Sequence, residues 1–386
     1  MAAACILLAG TANAQTFNWY GFIRNYGVYD SHASSAGTES LYYYMPTDTD
    51  ENVASMNFVA LTSRLGVDVK GYEVEGYKVA AKIETDFYNE NGTTAILRLR
   101  QAYFTMAKDQ RTWKIGQAWH PMAADLPDIF SLESGAPFGP FSRTPLVQLD
   151  YKLGDNVTAN AAAIWQMQYT STGPAGANAS YIKSACMPEL FVGLTYKNDK
   201  STVKVGADVL NIKPYGKKTL TTTNYFAFLQ HTAGDLTIKS KLTYANDGSH
   251  FNMIGGYGVC DGTDAASYTF SATRTAAGWL TATYKGMGKL VPSVLLGATR
   301  NLGTEKDIVS GSLFFKKLNA DKLHTLYRIQ PEVVYNLGKI QFGLEYMFTS
   351  AEYAKKVDAK MCPASDGAEL HWVDNNRIQM MLKYTF

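Results

Sequence analysis

Two arginines stand two positions apart in the sequence LRLRQAYF at 97–104, namely Arg98 and Arg100. On a β-strand, residues i and i+2 point to the same face about 7 Å apart. Two rigid guanidinium groups at that spacing suit the recognition of carboxylate or phosphate groups. Alternatively, both arginines are neutralised by Glu84 and Asp86 on the preceding strand. The sequence leaves these two interpretations open.

The segments that must position these charges have a period of two. Apolar and polar residues alternate in three clear cases, 77–87, 236–244 and 340–348. Such alternation predicts strands with one apolar and one polar face. Seven short polar turns join strand-like segments into hairpins, and eight longer segments lie between them. An opening strand at 19–30 and a closing strand at 375–386 bring the predicted number to sixteen.

The connections are sorted by length, with short turns at one end of the strands and long loops at the other. This arrangement is typical of outer-membrane β-barrels, whereas a soluble β-sandwich has no reason to sort its loops. The barrel must close, because lipid cannot satisfy an open strand edge. We therefore predict an all-β fold: a sixteen-stranded antiparallel transmembrane β-barrel with short periplasmic turns and long extracellular loops.

The overall composition excludes several classes of protein. The chain has 386 residues, of which 46% are hydrophobic, and a formal net charge of +2. The apolar fraction excludes global disorder. The near-neutral charge gives no electrostatic case for nucleic-acid binding. After the N-terminus, the sequence contains no run of 18 apolar residues, which excludes membrane-spanning helices.

The N-terminal residues have the features of a secretory signal. Residues 2–10 are apolar, and Ala12-Asn13-Ala14 provides a small-residue cleavage site. We predict a signal peptide at 1–14 and the barrel at 15–386. The alternative is an ordinary buried helix.

A family resemblance rests on three features. The closing strand ends on Phe386, and LRLRQAYF is followed by a hairpin into WKIGQAW at 113–119 and by a long loop. The sequence thus resembles the general porins of the Gram-negative outer membrane, especially the DcaP-like porins. The resemblance implies an outer-membrane location in contact with lipid, a homotrimer, and Phe386 as an assembly signal. It also implies that the loop at 119–144 folds into the barrel and narrows it.

Assigning the polar face of each strand to the lumen gives a set of predicted pore-lining charges. They are Arg64, Lys82, Glu84, Asp86, Arg98, Arg100, Lys114, Lys239, Lys241 and Arg328. Basic residues outnumber acidic ones, which predicts a mild preference for anions.

The loop at 119–144 is too apolar for a free surface loop. We expect its apolar residues to pack on the inner wall and its charged residues to point toward the opening, opposite Arg98 and Arg100. These charged residues are Asp125, Asp128, Glu133 and Arg143. The alternative is an extracellular lid.

The sequence favours neither an enzyme nor a bound cofactor. Its six histidines are scattered, and no metalloprotease, nucleophile-elbow or nucleotide-binding motif occurs. Cys186, Cys260 and Cys362 lie in predicted long loops and form no metal-binding spacing, so no metal site is expected. We predict passive diffusion of small hydrophilic solutes, with anions favoured. The alternatives are an adhesion or binding barrel without an open pore and, less favoured, a barrel hydrolase.

Overall fold

The architecture is that of a closed β-barrel. The computed structural model describes residues 15–38, 42–49, 52–87, 95–309, 311–315 and 320–386. The predicted signal peptide at 1–14 lies outside the described residues. No helix among these residues is long and apolar enough to cross a membrane.

Sixteen strands form the barrel, and the second is interrupted by a short turn at 60–63. They are β1 (Thr16–Asp30), β2 (Ser55–Val59 and Arg64–Val74), β3 (Tyr77–Asp86), β4 (Arg98–Lys108), β5 (Arg111–Trp119), β6 (Arg143–Lys152), β7 (Val157–Ile164), β8 (Glu189–Lys197), β9 (Ser201–Ile212), β10 (Leu220–Ala233), β11 (Leu236–Asn246), β12 (Thr269–Tyr284), β13 (Leu290–Thr304), β14 (Leu323–Leu337), β15 (Ile340–Ala354) and β16 (Leu370–Thr385).

Each strand pairs antiparallel with its neighbours in the sequence, and the first strand closes the ring. β1 pairs on one side with β2, where Phe22 faces Arg64, and on the other with β16, where Arg24 faces Lys383. The predicted sixteen-stranded antiparallel barrel is confirmed. The strands run from 8 to 16 residues, so some exceed the length needed to cross a bilayer and extend into the loops.

The two faces of the wall differ as the alternation predicts, and the apolar face points outward. In β16, Ile378 and Met380 are 47% and 56% exposed, whereas Arg377 and Gln379 are 0% and 1% exposed. Outward apolar and inward polar residues are the reverse of a soluble core and fit a lipid surface.

The long loops carry short elements of their own. A hairpin formed by Ser34–Thr38 and Tyr42–Pro46 follows β1, and the helix Ser180–Ala185 precedes β8. The 3₁₀ turn Gly248–Phe251 follows β11, and the short strands Gly256–Asp261 and Leu313–Phe315 pair with each other. These elements cover one end of the barrel.

Candidate pore constriction

The loop between β5 and β6 folds into the barrel. Its apolar residues Met122, Ala136 and Phe138 are completely buried. Two wall glycines make room for its aromatic rings. A Cβ atom at Gly297 would lie 2.5 Å from the ring of Phe138, and one at Gly343 would lie 2.8 Å from the ring of Phe130. The loop therefore packs on β13 and β15 instead of forming an external lid.

Polar groups of the wall hold the backbone of this loop. Nζ of Lys241 donates to the carbonyl of Met122 at 2.8 Å, and Nη1 of Arg328 donates to the carbonyl of Ala136 at 3.2 Å. Both basic side chains point inward, but each is only 1% exposed. The prediction that Lys241 and Arg328 line the pore was wrong, because the loop covers them.

The three acidic residues of the loop are paired with basic residues of the wall. Asp125 bonds Lys204 at 2.7 Å, and Asp128 bonds Lys239 at 2.5 Å. Glu133 bonds Arg377 at 2.6 Å.

Two of the four charged residues assigned to the opening are in fact buried. Glu133 is 0% exposed and Arg143 is 2% exposed. The Arg143 guanidinium lies 4.7 Å from the ring centre of Trp119 and 5.7 Å from that of Phe141. The prediction that Glu133 and Arg143 point toward the opening was wrong, because ion pairing and stacking draw both side chains into the packed base of the loop.

Arg98 and Arg100 form a lattice of ion pairs with β3. Arg98 binds Asp86 through two nitrogens, at 2.8 and 2.7 Å. Arg100 bridges Glu84 and Asp86, with both contacts at 2.8 Å. Arg64 lies 3.6 Å from Glu84. Of the two interpretations that the sequence left open, this geometry is the one in which Glu84 and Asp86 neutralise the arginines. The neutralisation is incomplete, because three guanidinium groups share two carboxylates.

A second basic group adjoins this lattice and was not singled out from the sequence. The ring of Phe22 is approached by three cations, with its centre 4.9 Å from Arg24, 5.1 Å from Arg64 and 4.8 Å from Lys383. Nε of Arg24 donates to the Thr62 hydroxyl at 3.1 Å. Among the described residues, neither Arg24 nor Lys383 forms an ion pair. We call Arg24, Arg64, Arg98, Arg100 and Lys383 the basic wall.

A polar space remains between the loop and the opposite wall. A cavity of about 570 Å³ is bounded by β4 to β10 and by the start of the loop. Its charged lining includes Lys114, Lys204, Asp125 and Asp150. Lys82 also points inward and pairs with Asp68 at 2.8 Å. The loop therefore narrows the lumen without filling this side.

Two further predictions concern the ends of the barrel. The backbone N–H of Phe386 donates to the carbonyl of Gly21 at 3.1 Å, which ties the C-terminus to β1. Its role as an assembly signal stays a prediction. Cys186, Cys260 and Cys362 all lie in the long loops between barrel strands, and none is joined in a disulfide.

Comparisons with known proteins place this fold among outer-membrane channels. No protein-family model matches the chain, and no curated protein matches it. The outer-membrane channel DcaP of Acinetobacter baumannii superposes with a TM-score of 0.73 at 21% identity, over 96% of this chain and 97% of that one. An anion-selective porin from Comamonas acidovorans gives 0.63 at 11% identity, over 97% and 100%. Outer-membrane expressed OmpT of Vibrio cholerae gives 0.58 at 14% identity, over 97% and 99%. The chain has the sixteen-stranded fold of the outer-membrane porins.

Proposed function

We propose that this protein is an outer-membrane porin of a Gram-negative bacterium that passes small hydrophilic solutes by diffusion. The observation that carries the proposal is the polar cavity of about 570 Å³ between the inserted loop and β4 to β10. A loop that packs on one side of the lumen leaves a narrow aqueous path on the other. The apolar outer face supports contact with lipid.

A mild preference for anions follows from the basic wall. Among the described residues, the carboxylates in ion pairs with its five cations are those of Glu84 and Asp86. The three acidic residues of the loop do not offset this excess, because each already pairs with a lysine or arginine of its own. A net positive wall in the lumen raises the local concentration of anions.

We also propose a homotrimer, on the basis of the porin fold. The trimer form of Vibrio cholerae OmpT superposes with a TM-score of 0.57 over 97% of this chain. A trimer would bury part of the apolar outer face, which otherwise contacts only lipid.

Two alternatives remain in view. An adhesion or binding barrel would use the long loops and would not need an open path through the lumen. A barrel hydrolase needs a nucleophile, a base and a group that orients the base. Ser201 and His231 are hydrogen-bonded at 2.8 Å at the short-turn end, but within the described chain no carboxylate bonds His231. The porin therefore remains the better supported function.

Recordings from planar lipid bilayers test the proposal. Purified protein should produce discrete conductance steps, and a salt gradient should give a reversal potential of weak anion selectivity. Folded protein that inserts into the bilayer but gives no steps would favour the adhesion alternative. Steps with clear cation selectivity would retain the porin and refute the role of the basic wall.

A further inference from the structure

Four titratable side chains meet at the loop-covered end of the barrel. His120 begins the inserted loop, Glu189 begins β8, Asp208 lies in β9, and His250 lies in the 3₁₀ turn after β11. All four are between 0% and 2% exposed. Ligand atoms of His120, Glu189 and Asp208 lie within 4.8 Å of one another. We call these four residues the buried cluster.

Hydrogen bonds fix three members of the buried cluster. Nδ1 of His120 accepts from the backbone N–H of Met122 at 3.1 Å, so its Nε2 carries the hydrogen and donates to Oε1 of Glu189 at 2.9 Å. Oδ1 of Asp208 accepts from the backbone N–H of Asn224 at 3.1 Å. One oxygen of each carboxylate is therefore used to hold that carboxylate in place.

The remaining polar atoms converge without partners. Among the described residues, Oε2 of Glu189, Oδ2 of Asp208 and both ring nitrogens of His250 are buried and have no hydrogen-bond partner. Nε2 of His250 lies 3.4 Å from Oε1 of Glu189 and 3.9 Å from Oδ2 of Asp208. Buried polar groups are normally paired, so this concentration calls for an explanation. These separations are close to those between ligands about 2.1 Å from one ion.

The surroundings make the charge of the buried cluster costly. The ring centre of Phe251 lies 3.9 Å from that of His250 and 4.8 Å from that of His120. Two carboxylates packed among aromatic rings need a compensating positive charge. A divalent cation would supply two units of charge and partners for the unpaired oxygens.

We propose that Glu189, Asp208 and His250 bind a divalent first-row transition-metal ion such as Zn²⁺, with His120 as the residue that positions Glu189. Mixed carboxylate and imidazole ligands suit such ions. A histidine that bonds a ligating carboxylate is a common supporting contact. The ion would join β8, β9 and the turn after β11, and through His120 it would fasten the start of the inserted loop.

A proton is the competing occupant of this site. Burial alone would lower the pKa of His250, but the carboxylates of Glu189 and Asp208 outweigh burial and raise it to about 10. A charged imidazolium supplies one unit of charge against two carboxylates. A divalent ion would supply two units.

Metal titration separates the two occupants. Untagged protein is refolded with a chelator, dialysed and titrated with Co²⁺, which reports its coordination by visible absorption, and then with Zn²⁺. We expect one ion per chain. The isosteric changes Asp208→Asn and Glu189→Gln should abolish binding, and His250→Asn should do the same. The change His120→Gln should weaken it about 10- to 100-fold, as for other supporting contacts.

His324→Gln is the matched control, since His324 also bonds a carboxylate, that of Glu352 at 2.7 Å, away from the buried cluster. It should leave the stoichiometry at one. Heat-modifiable gel mobility shows which variants fold. Folded wild-type protein that binds no Co²⁺ or Zn²⁺ would overturn the proposal, as would undiminished binding in folded Asp208→Asn or Glu189→Gln. Neither result affects the porin proposal, which rests on conductance.

Discussion

The two sides of the lumen use basic residues in different ways. Lys204 of β9, Lys239 of β11 and Arg377 of β16 pair with the acids of the inserted loop. The basic wall lies on β1, β2, β4 and the C-terminal end of β16, and among the described residues it forms no ion pair with that loop and has more cations than paired carboxylates. Because the cations that hold the loop are neutralised in pairs, the proposed anion preference rests on the basic wall.

Removing the inserted loop should have the largest effect on the channel. Deleting 125–138 removes the rings of Phe130 and Phe138, which fill the space over Gly343 and Gly297. Single-channel conductance should rise severalfold, because the lumen beside β13 and β15 opens. Removing 216–218, from an exposed segment between β9 and β10, is the control. Unchanged conductance after the larger deletion would show that this loop is not the constriction.

A smaller effect should follow from neutralising the unpaired part of the basic wall. The double change Arg24→Gln and Lys383→Gln removes two positive charges that have no carboxylate partner among the described residues. The reversal potential in a salt gradient should shift toward cation selectivity, because charges at a narrow opening are screened less than surface charges.

The matched control neutralises a complete pair on the opposite side. Lys239→Gln with Asp128→Asn also changes two residues but leaves the net charge unaltered. It should leave the reversal potential near the wild-type value. Equal shifts of the reversal potential in the two double variants would contradict the proposal that the basic wall selects ions while the paired cations only hold the loop.

A third change addresses the stability of the ion-pair lattice. Arg100 is 8% exposed and serves Glu84 and Asp86, so Arg100→Gln would leave both carboxylates short of donors. Breaking a buried ion pair costs about 3–5 kcal/mol. The temperature of the heat-modifiable transition should fall, and adding Glu84→Gln should restore part of the loss. Lys239→Gln should cost less, about 1 kcal/mol or below, because its partner Asp128 is 37% exposed. Equal losses would contradict the distinction between them.

The sequence was sufficient for the architecture because strand alternation and turn length are local features. Alternation also placed Arg98 and Arg100 inward beside their carboxylates. Alternation did not single out Arg24. The inward face of β1 also carries the apolar residues Phe22, Tyr26 and Val28, so polarity does not distinguish the two faces of this strand.

Features that depend on the path of the inserted loop could not be predicted from the sequence. Lys241 and Arg328 have the expected inward parity, but whether water or the loop covers them is a tertiary property. The buried cluster joins positions between 120 and 250 that no spacing rule connects. Only the pairing of β8 with β9 and the inward turn of two loops bring those residues together.

The smallest effect concerns Tyr26, a side chain of β1 that bonds the inserted loop. Tyr26, on β1 next to Arg24, is completely buried, and its hydroxyl donates to the carbonyl of Phe130 in the loop at 2.6 Å. Tyr26→Phe keeps the ring and removes one hydrogen bond, that to the partly buried carbonyl of Phe130, at a cost of about 1 kcal/mol. Because Phe138, Lys241 and Arg328 still hold the rest of the loop, mean conductance should stay near the wild-type value. The current noise of the open channel should rise as the tip of the loop loosens.

Arg24→Gln is the control for this prediction. It leaves the Tyr26 hydroxyl in place and should change selectivity without raising the current noise. A quiet channel in Tyr26→Phe would mean that the packing of Phe130 over Gly343 is enough to fix the tip of the loop, and that β1 contributes charge to the pore but no support to the loop.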